Sequence, residues 1–150
     1  MEKMKIMLVD DEVRYLQTTA KLLGKKGYEV STAESGKEAL EKLKTQTVHV
    51  VILDVKMPGM DGNETLRAVK SLYPLVEVIM LTGHATVDSA IDGLKNGAFD
   101  YLMKPADPDR ILEKAMDAFE KRQRVEEKIR VAQAKKYMRS PREILKEDES

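Results

Sequence analysis

The sequence predicts an α/β domain with a five-stranded parallel sheet and helices on both of its faces. Five short apolar runs alternate with longer stretches in which apolar residues recur at helical spacing. Residues 50–53 are all apolar, which is typical of a strand that is buried on both sides at the centre of a parallel sheet. This run ends in Asp54, at the edge of the sheet where proteins of this class bind their ligands. Right-handed crossovers restrict the possible topologies further.

The first two predicted strands differ in burial. Residues 6–9 form a short apolar run that stops at Asp10 and Asp11, and a helical pattern follows. Residues 28–32 alternate between apolar and polar side chains, which favours a half-exposed strand at the edge of the sheet. Ser35 has a glutamate three residues later, so this pair has the spacing of a capping box and predicts the start of the second helix.

The last two strands also end in polar residues. Residues 76–81 are mostly apolar and lead to Thr82, and a helical pattern follows. Residues 99–103 form the fifth predicted strand, which ends at Lys104.

The starts of two further helices are also marked in the sequence. Asp61 is expected to cap the third helix, and an aspartate followed by proline at residues 107–108 is expected to start the last helix. After Pro108 the last helix has no proline or glycine before residue 141, so it is predicted to extend beyond the domain.

Composition indicates a small soluble protein without disulfides. Of its 150 residues, 42% are hydrophobic and 35% are charged, enough for one core and a polar tail. The 26 basic residues equal the 26 acidic ones, so net charge does not point to nucleic acid or a membrane as a partner. Without cysteine, a signal peptide or a long apolar stretch, the chain is expected to be cytoplasmic.

The predicted strand ends place three acids, a hydroxyl and an ammonium group at one edge of the sheet. They belong to Asp10, Asp11, Asp54, Thr82 and Lys104. Neighbouring carboxylates repel each other, so a hard cation such as Mg²⁺ is expected among them. A carboxylate beside such a cation can attack a phosphoryl donor, while donor groups bind the phosphoryl oxygens. Asp54 is the best candidate for this nucleophile because the most central-looking strand delivers it.

These residues lie in motifs that resemble the receiver domain of two-component response regulators. The motifs are the Asp10-Asp11 pair, LD at 53–54, MPGMDG at 57–62, LTGHA at 81–85 and FDYLMKP at 99–105. The resemblance covers residues 5 to 120 and implies a flavodoxin-like, CheY-like sheet of order 2-1-3-4-5. Within the family, the chain is most similar to receivers of enhancer-dependent, NtrC-type transcription activators.

The resemblance implies a role for each residue of the site. Asp54 would accept the phosphoryl group, and Mg²⁺ would be held by Asp10, Asp11, Asp54 and the backbone carbonyl of Lys56, with Asp11 the more direct of the acidic pair. Thr82 and Lys104 would contact the phosphoryl group. Tyr101 would change rotamer together with Thr82 on activation. The Lys104–Pro105 peptide bond is expected to be cis.

A kinase partner follows from the same resemblance, and a dimer and two modulating residues are also expected. A sensor histidine kinase would supply the phosphoryl group, and a homodimer would form through the fourth helix, the fifth strand and the last helix. Lys56 and His84 each lie two residues beyond a site residue, so they are expected to adjust the lifetime of the phosphoryl group. No direct contact with nucleic acid or a membrane is expected.

Three other functions are weaker alternatives. An Mg²⁺-dependent phosphatase with an aspartate nucleophile normally has a second carboxylate two residues later, where this chain has Lys56. A flavin carrier would need a phosphate-binding loop after the first strand, where the chain has three acids. A phosphorylation-independent interaction module is disfavoured because every expected site position is filled. The chain is therefore interpreted as a regulatory phosphoacceptor that catalyses only its own phosphorylation and dephosphorylation.

Three segments are predicted along the chain. Residues 1–120 would form the receiver domain, residues 121–140 an extension of the last helix, and residues 141–150 a disordered tail. Residues 121–150 contain 10 basic and 6 acidic residues, which leaves 16 basic and 20 acidic residues in 1–120. A basic segment therefore follows an acidic receiver domain. The chain is either a stand-alone receiver or a fragment of a longer regulator.

Overall fold

Five parallel strands form a single sheet of order β2-β1-β3-β4-β5, which confirms the predicted topology. The computed structural model describes residues 3–55, 57, 59–83 and 87–138. In chain order the elements are β1 (Lys5–Val9), α1 (Val13–Lys25), β2 (Glu29–Ala33), α2 (Gly36–Leu43), β3 (Val50–Asp54), α3 (Gly62–Leu72), β4 (Glu77–Thr82), α4 (Val87–Lys95), β5 (Asp100–Met103) and α5 (Pro108–Tyr137).

The sheet is covered on both faces, and each face has its own apolar core. Helices α1 and α5 pack on one face, and α2 and α3 pack on the other, where α4 also lies beside β5. Strand β3 contributes to both cores because its side chains alternate between the faces. Val50 and Ile52 belong to the first core, and Val51 and Leu53 belong to the second. All five residues of β3 are buried, as the apolar run predicted.

Side-chain caps begin three of the helices where the sequence predicted them. Ser35 accepts a hydrogen bond of 3.1 Å from the N–H of Glu38. Asp61 accepts one of 2.8 Å from the N–H of Glu64, and Asp107 caps α5. Each cap pairs a backbone donor that the first turn of a helix leaves without a partner. The caps therefore fix where α2, α3 and α5 begin.

Strand β4 differs by one residue from its predicted position. It runs from Glu77 to Thr82, whereas residues 76–81 were predicted. Thr82 lies inside the strand because it pairs with Met103 of β5. Strand β5 likewise begins at Asp100, one residue later than predicted.

Helix α5 is much longer than the sheet it covers. Its buried residues all lie in its first half and are Ile111, Leu112, Ala115, Ala118 and Phe119. Arg122 then contacts the rest of the domain, since its Nη1 donates a hydrogen bond of 3.0 Å to the carbonyl oxygen of Val48. Its Nε donates one of 2.7 Å to Glu126 of the same helix. Beyond this point the helix continues with mostly exposed side chains to Tyr137. Among the described residues, no helix has the length and apolar character needed to cross a bilayer.

Candidate functional site

The carboxyl ends of β1 and β3 bring three acids together. Val9 pairs with Leu53, so the residues that follow them, Asp10 and Asp54, lie side by side at the sheet edge. Both of these acids are buried, with 3% and 6% of their surface exposed, whereas Asp11 is exposed. One carboxylate oxygen from each acid lies within 4.8 Å of the others. The predicted convergence of the acids is therefore present in the structure.

The loop after β3 folds back tightly against the end of the strand. The N–H of Gly62 donates to the carbonyl oxygen of Val55 at 2.9 Å. A Cβ atom at Gly62 would lie 2.5 Å from both the carbonyl oxygen of Asp54 and the Cα of Val55. Gly59 has a φ of +79°, in the region that favours glycine. The glycines of the MPGMDG motif therefore allow the close return of the chain beside Asp54.

Strands β4 and β5 place Thr82 and Lys104 at the same edge. Thr82 is the last residue of β4 and has only 1% of its surface exposed. Its carbonyl oxygen accepts a hydrogen bond of 2.8 Å from the N–H of Lys104. The Lys104–Pro105 bond is cis, which confirms that expectation. Four of the five strands therefore contribute to the site.

The ammonium group of Lys104 forms a salt bridge with Asp10. Its Nζ is 2.6 Å from Oδ2 of Asp10 and 3.5 Å from Oε1 of Glu12. Burial lowers the pKa of Lys104, but the hydrogen bond to Asp10 and the charges of Asp10 and Asp54 outweigh it and raise the pKa. The lysine therefore remains charged at neutral pH and offsets part of the negative charge of the site.

Two residues of the site were not predicted from the sequence. Glu12 approaches Lys104 from the loop before α1, and the ring of Tyr15 lies under the ammonium, with 4.4 Å between Nζ and the ring centroid. Tyr15 lies in the first turn of α1, shortly after the acidic pair, and this position was the sequence's sign that it lies near the sheet edge. Its contact with a lysine 89 positions later becomes apparent only in the folded chain.

Of the residues expected to switch or to modulate the site, the structure describes Tyr101. The Tyr101 side chain is half-buried and packs against the core beneath α4. Its ring lies 3.7 Å from the position of a Cβ atom built on Gly93 of that helix. Lys56 and His84 lie outside the described residues, as does the 141–150 tail.

The donor set of the site fits a hard divalent cation. It consists of three carboxylates, two of them buried, and oxygen atoms are the ligands that such cations prefer. Exposed Asp11 leaves the cluster open to solvent, so coordinated water or an anion can approach. Lys104 and Thr82 border the same edge and can donate hydrogen bonds to anionic oxygens. The arrangement thus suits a reaction between an anion and one of the carboxylates.

The chain is similar in sequence to known transcriptional regulators. The chain is 41% identical over 114 residues to the transcriptional regulatory protein ZraR of Escherichia coli (strain K12), covering 74% of this chain and 26% of ZraR. It is 36% identical over 119 residues to the DNA-binding transcriptional regulator NtrC of Klebsiella pneumoniae, covering 77% of this chain and 25% of NtrC. The chain therefore spans about a quarter of the length of these relatives.

A solved structure and a family match both identify the domain as a receiver. The beryllofluoride-activated NtrC4 receiver domain dimer superposes with a TM-score of 0.74 at 36% identity, covering 79% of this chain and 98% of that one. Residues 6–116 match the response regulator receiver domain family, and they include the acidic cluster, Thr82 and Lys104. The chain belongs to the receiver domain family of two-component response regulators.

Proposed function

We propose that this receiver accepts a phosphoryl group from a sensor histidine kinase onto Asp54 and thereby switches the conformation of its β4-α4-β5 side. The observation that supports Asp54 is its position. It is a buried carboxylate at the end of the central strand, with two further acids within 4.8 Å and the Lys104 ammonium bound to one of them. Receiver domains as a family are phosphorylated by histidine kinases.

Asp10, Asp11 and Asp54 would hold the cation, which we infer to be Mg²⁺. The Lys56 carbonyl is proposed as a further ligand. The bound cation supplies positive charge that screens the carboxylates from the incoming phosphoryl group. Few protein oxygens around an open site match the preference of Mg²⁺ for keeping several waters. This assignment rests on the three described carboxylates.

The transfer forms one bond and breaks another. An oxygen of Asp54 attacks phosphorus, and the bond from phosphorus to the donor breaks, so that its electron pair leaves with the donor. Lys104 and Thr82 would donate hydrogen bonds to the phosphoryl oxygens. Lys104 would have to leave Asp10 to do so, because its Nζ now lies 2.6 Å from that carboxylate. Hydrolysis of the resulting acyl phosphate would reset the domain, and Lys56 and His84 are proposed to tune its rate.

Phosphorylation would be transmitted by Thr82 and Tyr101. Thr82, at the end of β4, would move toward the phosphoryl group and leave space for Tyr101 to turn inward. Exposed apolar side chains on this side include Ile91 and Leu94 of α4 and Met103 of β5. The NtrC4 receiver forms a dimer when activated with beryllofluoride. We therefore propose an activation-dependent homodimer of this chain through α4, β5 and α5.

The proposed role of the whole protein follows from its relatives. We infer a receiver unit at residues 1–120 and a helical extension at 121–140 that transmits its state. The relatives are regulators of transcription, and NtrC is described as DNA-binding. We propose that this receiver likewise controls a transcriptional output. The receiver catalyses only its own phosphorylation and dephosphorylation in this proposal.

Mass measurement after treatment with acetyl phosphate and Mg²⁺ tests the assignment of Asp54. The wild type is expected to gain one phosphoryl group, and Asp54→Asn to gain none, because the amide removes the nucleophile. Asp11→Asn should also lose labelling, since the phosphoryl group, with about −1.5 to −2 charges in comparable phosphates, would meet poorly screened carboxylates. Asp117→Asn, a change of an exposed acid on α5, is the matched control and should be labelled normally. Full labelling of Asp54→Asn would overturn the assignment.

A further inference from the structure

Lys104 is held by three groups in this structure, and the aromatic one has no assigned role. Its Nζ donates a hydrogen bond of 2.6 Å to Oδ2 of Asp10 and lies 3.5 Å from Oε1 of Glu12. The centroid of the Tyr15 ring lies 4.4 Å from the same Nζ. Only 14% of the lysine side chain is exposed, so this position is enclosed rather than a chance surface contact. The ring face of Tyr15 attracts a cation through its quadrupole.

We propose that Tyr15 is a positioning residue that holds Lys104 against Asp10 in the resting receiver, so that the lysine competes with the divalent cation for this carboxylate. The proposal deepens the proposed function and rests on it, because the cation is the one inferred for the phosphorylation site. Tyr15 would act through Lys104 and would not touch the cation or the phosphoryl group.

Competition follows from how the oxygens of Asp10 are used. Oδ1 accepts a hydrogen bond of 2.9 Å from the N–H of Glu12, and Oδ2 accepts a hydrogen bond from the ammonium group of Lys104. A magnesium ion binds carboxylate oxygens at about 2.0–2.1 Å. An ion bound to Asp10 would therefore share this carboxylate with a positive charge only 2.6 Å from one of its oxygens. The two cations repel each other, so binding of the metal favours departure of the lysine.

The Tyr15 ring opposes that departure. Burial raises the pKa of the Tyr15 hydroxyl, so the ring is neutral and its contact with the ammonium is a cation–π interaction. A lysine that leaves Asp10 for the phosphoryl site on Asp54 gives up this contact. Removal of the ring should therefore weaken the resting position of the lysine and strengthen metal binding.

Titration of Mg²⁺ without a phosphoryl donor, followed by backbone amide NMR shifts, measures this competition directly. Tyr15→Leu should lower the Kd for Mg²⁺ roughly two- to tenfold, the range that a partly desolvated cation–π contact provides. Lys104→Met removes the competing charge and should lower the Kd further. In the Lys104→Met background, Tyr15→Leu should have no additional effect, because Tyr15 would have no ammonium to hold.

Two controls separate the ring face from general packing. Tyr15→Phe keeps the ring and should bind Mg²⁺ like the wild type. Phe99→Leu removes the ring from a similar contact at the opposite end of the sheet, where Nζ of Lys121 lies 5.7 Å from the ring centroid. This variant should also leave the Kd unchanged. Tyr15→Met provides a second apolar replacement without a ring if the leucine variant fails to fold.

The outcomes distinguish this inference from the proposed function. An unchanged Kd in folded Tyr15→Leu and Tyr15→Met, or the same shift with and without Lys104, would overturn the role of Tyr15. If the predicted coupling is found but acetyl phosphate does not label the wild type, the inference stands and the phosphoacceptor proposal fails. Absence of Mg²⁺ binding to both the wild type and Lys104→Met would overturn both.

Discussion

Asp100 shows how one charged side chain joins β5 to α5. Its carboxylate accepts a hydrogen bond of 2.7 Å from the N–H of Tyr101 and lies 2.8 Å from Nζ of Lys114. Burial alone raises the pKa of Asp100, but these two hydrogen bonds and the charge of Lys114 outweigh it and hold the pKa below its ordinary value. The native state therefore binds this proton less readily than the unfolded state.

The free energy of unfolding should depend on pH through Asp100. Because the folded pKa is lowered, its contribution is complete above the unfolded pKa of about 3.9 and is lost as pH falls through the folded pKa. At pH 7, Asp100→Asn should reduce stability by about 1 kcal/mol, a value discounted for partial solvent exposure. Urea unfolding between pH 7 and pH 3 measures the loss, which should shrink toward the acidic end. A loss independent of pH would contradict this origin. Glu113→Gln, in an exposed pair, is the control.

His49 makes a buried polar contact that the sequence did not predict. Its Nδ1 accepts a hydrogen bond of 2.9 Å from the N–H of Lys5, and its ring centroid lies 5.0 Å from that of Phe119. His49→Leu should lower the free energy of unfolding by about 1–3 kcal/mol, because it leaves the Lys5 N–H without this acceptor. His49→Asn offers an oxygen in the place of Nδ1 and should lose less. Denaturant unfolding compares them, and equal losses would assign the effect to the ring contact.

At the scale of elements, Gly62 holds the start of α3 directly against the end of β3. Gly62→Ala places a methyl group against the backbone at Asp54 and Val55, which cannot move without displacing β3. We expect a loss of about 1–3 kcal/mol in unfolding free energy and slower labelling by acetyl phosphate. Gly24→Ala is the matched control, since nothing lies within 4 Å of its added Cβ and it lies in α1.

The two alanine variants should change stability in opposite directions. Gly24→Ala is expected to raise the unfolding free energy by up to about 1 kcal/mol, because alanine has the higher helix propensity. Thermal or urea unfolding gives both values. If Gly62→Ala were as stable and as rapidly labelled as the wild type, the close return of the loop would not constrain Asp54.

Sequence patterns predicted the strands, the helices and the sheet edge at which the site residues gather, because these depend on local periodicity and on the general geometry of parallel sheets. Apolar periodicity gave the strands and helices, and the geometry of parallel sheets places all carboxyl ends at one edge. Contacts between distant residues had no comparable signal. The sequence distinguished residues 121–150 only by their charge, yet Arg122 donates a hydrogen bond to the carbonyl oxygen of Val48, just before β3. The Tyr15–Lys104 contact likewise joins the first turn of α1 to the residue that follows β5, two positions far apart in the sequence.

At the scale of the whole molecule, the exposed half of α5 extends from a closely packed domain. Apolar residues Val125, Ile129 and Ala132 follow at spacings of four and three, which predicts a narrow seam along the helix. Ile129 is 43% exposed in the single chain. The seam is shorter than the three or four heptads of a convincing coiled coil. We therefore expect it to assist the α4-β5-α5 contact of a dimer without holding two chains together alone.

Sedimentation equilibrium with and without beryllofluoride tests the dimer. The wild type should shift toward dimer with beryllofluoride, because we propose that a phosphoryl-like group on Asp54 biases the conformations of Thr82 and Tyr101. Ile129→Asp should weaken the dimer about tenfold or more, since it places a charge in an apolar contact. Lys128→Gln, on the exposed surface of the same helix, makes the same one-unit change of net charge and is the control. A monomer under every condition would contradict the dimer, and a dimer indifferent to Ile129→Asp would place the interface away from the seam.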